Sequence, residues 1–142
     1  MKDTFSTKAG TLAALSGKLE SARVPPLVYF QVVDWEKDRK VCLNRIGHEL
    51  EAESFIVRSS CRREDGEESS NAGAFLSLAN ISAEDLEDAI VSVIEAYGET
   101  DPTDEVLVQP MLQNVIRSGV VFSHDPNTRS PYREVNWVEG ED

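Results

Sequence analysis

The chain has 142 residues, 40% of them hydrophobic and 28% charged, with 26 acidic side chains against 14 basic ones and a net charge of −12. That length fits a single domain of ordinary size with a real core, and the charge argues against a DNA or RNA partner. Two cysteines, without a CxxC or a histidine at ligand spacing, exclude a disulfide framework and a cysteine metal site, and no apolar run approaches a signal peptide or a membrane span, so the chain is expected to be cytoplasmic with no membrane partner.

Taken in chain order, residues 7–20 predict a helix with Thr7 as its N-cap and Leu12, Leu15 and Leu19 on one face. Pro25-Pro26 ends any helix and launches a buried strand over residues 27–33. Asp34 can cap a second helix in which Cys42, Leu43, Ile46 and Leu50 share a face, with His48 a structural residue near its end. Phe55, Ile56 and Val57 then form a short strand over residues 55–59, which delivers Arg58 and two serines into a long polar loop bearing Gly73.

A guanidinium at that point can grip phosphate oxygens bidentately, which lysine cannot do. The small residues Ser69, Ser70, Asn71, Ala72 and Gly73 leave their backbone N–H groups open to an anion. On spacing alone, a surface turn in which Arg58 pairs with Glu64 or Asp65 is an equally good account.

Residues 74–80 predict the next strand. Ser82 caps a third helix with Asp85 at the N3 position, and Leu86, Ile90, Val93, Ile94 and Tyr97 make its buried stripe before Gly98 closes it. Residues 99–105 are polar enough for a linker. Three β segments follow, around 105–112, 119–125 and 132–138, with DPNTRSP as the turn between the last two. Pro110 cannot donate to a sheet, so its strand should end there or lie at an edge.

From Glu64 to Ile116 there are thirteen acidic residues and no lysine or arginine, a solvated acidic face. Salt screens such distant charge, so a small anion can still bind where Lys8, Arg58, Arg62 and Arg63 outweigh it locally. These features give an α+β chain with a mixed sheet and about three helices.

Four stretches in order, FSTKAGTLAAL (5–15), VRSS followed by ED and S-x-AG-x-F (57–75), VLVQPML (106–112) and SGVVFSHDPNT (118–128), resemble the nucleotide-binding domain of the pyruvate phosphate dikinase and phosphoenolpyruvate synthase family. The resemblance implies an ATP-grasp architecture, with nucleotide between a helix-containing lobe at 1–98 and a β-rich lobe at 106–142, joined by the linker at 99–105.

It also implies roles. Lys8 matches the lysine that reaches the phosphates, although a lysine in a first helical turn is ordinarily just solvated; Arg58 matches the arginine that neutralises phosphate charge. Ser69, Ser70, Asn71, Ala72 and Gly73 match the lid over the terminal phosphates. Gln109, Pro110, Met111 and Leu112 match the hinge that reads the adenine edge, with core packing the plainer role for the Met111 side chain.

The implied activity is ATP-dependent phosphorylation of a carrier histidine on another domain, for transfer to an acceptor such as pyruvate. PYREVNW is similar to the wording of a capsule-associated branch in which the acceptor can be the amide of glutamine, and a rifamycin-phosphorylating branch shares the four motifs. His124 lacks the GG-x-x-SH surroundings of the carrier histidine. The family's acidic magnesium-binding segment has no counterpart before Asp142, so the expectation is the front part of a longer protein, with ATP as ligand and Mg²⁺ held only by the complete domain. The alternative is a nucleotide-sensing or interaction module without catalysis.

Overall fold

The computed structural model describes residues 6–62 and 75–140. The chain divides into two compact units, Met1–Met111 and Leu112–Asp142, and its class is α+β. Four helices, rather than about three, occur among the described residues, and every strand pairing there is antiparallel rather than mixed. No helix among them is long and apolar enough to cross a membrane.

The first unit opens with α1 (Lys8–Leu15), capped by the Thr7 hydroxyl, which accepts from Gly10 N at 3.0 Å. The helix stops well short of residue 20 because Gly17 adopts φ +73°, a left-handed geometry that a glycine enters without steric cost. After β1 (Val28–Gln31) come α2 (Val32–Lys37) and α3 (Arg39–Glu49), where one helix was expected. The break is Asp38, which is extended at φ −157° and closes α2 while its carboxylate accepts from Val41 N to start α3. Asp34 is the N3 residue of α2, accepting from Gln31 N, and not its cap.

β2 (Ser54–Ser60), β3 (Ser77–Ser82), α4 (Leu86–Ala96) and β4 (Glu105–Pro110) complete the unit. Ser82 and Asp85 do pair, Ser82 Oγ donating to Asp85 Oδ2 at 2.8 Å and accepting from Asp85 N at 3.3 Å, but they close a turn between β3 and α4 instead of a helical first turn. β3 carries an irregularity opposite Phe55 and Val57, where Asn80 takes φ +57°.

The sheet order is β1-β4-β2-β3. Each helical crossover makes its two strands run the same way, so β1 and β2 are codirectional, and β3 and β4 likewise. They do not become neighbours: β4 inserts between β1 and β2, antiparallel to both. The strand expected to open a second lobe is therefore central to the first unit, and the division falls after Met111 instead of at 99–105. Pro110 is accommodated because Met111 N donates to Ser54 O on β2, which turns position 110 toward the other side, where the pairing with β1 has already ended at Val108.

Alternation along the strands sends Val28, Phe30, Phe55, Val57, Val106 and Val108 to one face, where they pack with Trp35, Cys42, Ile46 and Leu50 of the α2–α3 region and Leu86, Ala89, Ile90 and Val93 of α4. Phe30 and Trp35 stack with ring centroids 5.8 Å apart. Each of the valine, leucine, isoleucine and phenylalanine side chains contributes about 1.5–3 kcal/mol by leaving water, so this cluster is what holds the sheet to its helices.

The second unit is a hairpin of β5 (Arg117–Phe122) and β6 (Glu134–Glu139), in which Gly119 faces Trp137 and Val121 faces Val135. The Arg117 guanidinium lies 5.2 Å from the Trp137 ring centroid. In the connecting turn, Asp125 accepts from Asn127 N and Thr128 N, each at 2.8 Å, and these bonds hold its carboxyl below the usual carboxylate value.

Candidate functional site

The period of two along β2 puts Ile56, Arg58 and Ser60 on the face opposite the packed helices. Arg58 thus lies in mid-sheet, with Leu107 of β4 on one side and Ser77 of β3 on the other. It is half-buried, and its Nε is buried with no hydrogen-bond partner among the described residues. Leaving such an N–H without an acceptor costs about 1–3 kcal/mol. An anionic oxygen is the acceptor that removes the cost most effectively.

Lys8 is the first residue of α1, and its Nζ donates to the carbonyl of Ser59 at 3.3 Å. Its ammonium is thereby brought to the strand position next to Arg58. The start of α1 also borders a cleft of about 260 Å³ lined by Ser6, Thr7, Gln31, Arg62, Thr103 and Glu105. That volume is slightly below the roughly 300 Å³ at which sites for small molecules begin.

Ser59 and Ser60 were expected to enter a polar loop. Both are instead buried at the end of β2, because β2 runs on to pair Ser60 with Glu105 while α1 covers it. Ser60 Oγ accepts from Ala9 N at 2.9 Å and donates to Glu105 Oε2 at 3.1 Å. Ser60 N donates to Tyr97 Oη at 2.8 Å, and that hydroxyl donates to Glu105 O at 2.7 Å. The apolar stripe of α4 identifies Tyr97 as buried but gives no hint of this network; the one available signal is that a buried tyrosine hydroxyl must find a partner.

Gln109 is buried on β4 with its Nε2 3.5 Å from Pro25 O. Pro110 pairs with Phe55, Met111 is half-buried and outside the buried clusters, and Leu112 is exposed. The segment 109–112 therefore crosses the division between the two units. Ser69, Ser70, Asn71, Ala72 and Gly73 lie outside the described residues, as do Glu64 and Asp65. His48 is exposed in the last turn of α3, and His124 is exposed with its ring Nδ1 3.1 Å from Ser123 Oγ.

Among the described residues, no group of three His, Cys, Asp or Glu side chains could hold a metal ion. No protein-family model matches the chain, and no curated protein or solved structure matches it significantly.

Proposed function

We propose that this chain is the ATP-binding part of a phosphotransferase with an ATP-grasp arrangement, similar to pyruvate phosphate dikinase and phosphoenolpyruvate synthase, that phosphorylates a carrier histidine on another domain. The observation that carries the proposal is the buried Nε of Arg58, which has no hydrogen-bond partner among the described residues, one strand position from Ser59, whose carbonyl accepts from the Lys8 ammonium. Such a pair favours an anion with several oxygens, as a triphosphate has. In the transfer, Arg58 and Lys8 orient the phosphates and offset the charge that develops as the γ-phosphoryl group passes to the histidine and ADP leaves. Mg²⁺, when bound, neutralises and aligns the β and γ phosphates; no described residue of this chain is assigned to it.

The test is a titration with millimolar ATP followed by amide NMR. Resonances of Ala9, Arg58 and Ser59 should move first. Arg58→Ala and Lys8→Ala should each weaken binding by about tenfold or more, the loss of a charge-assisted hydrogen bond of roughly 1.5–3 kcal/mol. Shifts confined to α4, or wild-type affinity in both variants, would sink the assignment.

A further inference from the structure

α1 has eight residues and buries one of them, Ala9. A helix that short is not stable by itself in water, so its placement depends on what the sheet offers it. Ser60 offers a hydroxyl. The direction of both its bonds is forced: the Ala9 amide can only donate, and the Glu105 carboxylate accepts, so the hydroxyl takes the first bond and gives the second.

The backbone beneath is fixed as firmly, because Ser60 N donates to Tyr97 Oη and Tyr97 Oη donates to Glu105 O. Ser60 is fully buried, so water cannot replace a lost partner. The residue next to Ala9 is Lys8, whose ammonium reaches the carbonyl next to Ser60.

We infer that Ser60, held by Glu105 and Tyr97, is a positioning residue that sets the rotation and height of α1 on the sheet and so places Lys8 beside Arg58 for nucleotide binding. The inference rests on the ATP-binding reading given above. Ser60 acts through Lys8 and does not itself touch the phosphates. Glu105 serves as the acceptor that aims the Ser60 proton away from α1, leaving the oxygen lone pair for Ala9 N.

The experiment measures ATP affinity and the exchange rate of the Ala9 amide in the wild-type chain and in Ser60→Ala, Glu105→Gln, Lys8→Met and the Ser60→Ala/Lys8→Met double variant. Ser60→Ala should speed Ala9 exchange and weaken ATP binding by about tenfold, the effect of one buried hydrogen bond. In the Lys8→Met background the same change should alter ATP affinity little, because the placement it disturbs no longer matters. Glu105→Gln replaces the carboxylate acceptor by a weaker neutral one and should speed Ala9 exchange less than Ser60→Ala does.

If Ser60→Ala does not fold, Ser60→Cys, of similar size but a weaker donor and acceptor, carries the same comparison with a smaller loss. Unchanged ATP affinity in Ser60→Ala despite faster Ala9 exchange overturns the inference, as does a loss that adds in full to that of Lys8→Met. A wild-type chain that binds no millimolar ATP overturns the proposed function and this role with it. Wild-type binding with an indifferent Ser60→Ala counts against the positioning role alone.

Discussion

Cys42 shows what the first unit does to a single reactive group. Burial on α3 pushes its thiol above the ordinary value of 9.0, the Asp34 carboxylate adds to the effect, and Arg45 opposes it. The thiolate is the nucleophile, so Cys42 should react with iodoacetamide at about pH 8 at least roughly tenfold more slowly in the folded chain than after unfolding in guanidinium. Equal rates would show that the core around it opens freely.

The sign of the linkage follows: a folded pKa above the unfolded one gives stability that is full below about pH 9 and is lost as pH climbs through the folded value. Other residues differ in how legible they are. Lys8 and Arg58 stand out in the sequence because one is a cation at the start of a helix and the other a cation on a short apolar strand. Ser60 does not, because its acceptor Glu105 stands 45 residues away and meets it only through the register of β2 on β4.

At the level of elements, the strands and the stripe of α4 are legible because burial on one face imposes a period of two or 3.6 on the apolar residues. The break between α2 and α3 is not, because Cys42, Leu43 and Ile46 keep helical spacing on through the region that Asp38 begins. The hairpin depends on a close approach that the sequence marks only with a glycine: a Cβ at Gly119 would run into the Asn136 carbonyl oxygen and sit 2.9 Å from Trp137 Cα. Gly119→Ala should therefore destabilise the hairpin by about 1–3 kcal/mol, seen as loss of cross-strand NOEs between Val121 and Val135. Intact NOEs in that variant would mean that the strands separate locally without losing their pairing.

For the whole molecule, the unequal burial of the two units is decisive. Among the described residues, the buried hydrophobic side chains of the first lie within residues 9–108, whereas none from 112 to 140 is buried. Residues 1–111 should fold as an isolated chain, with the dispersed amide spectrum of a packed domain, while an isolated 112–142 peptide should be largely unstructured, since a two-stranded hairpin is marginal in water. Collapse of the 1–111 spectrum would refute the division.

A chain ended at residue 103 should not fold, because it lacks β4, which supplies the core residues Val106 and Val108 and is, among the described residues, the only strand paired with β1. The same insertion imposes an order on biosynthesis. A ribosome adding roughly 5–20 residues per second spends on the order of ten seconds between completing β1 and delivering its partner. Through that interval the nascent chain carries Val28 and Phe30 without β4, the strand they pair with, so a chaperone that shields residues 28–31 until residue 110 has emerged should raise the yield of folded protein.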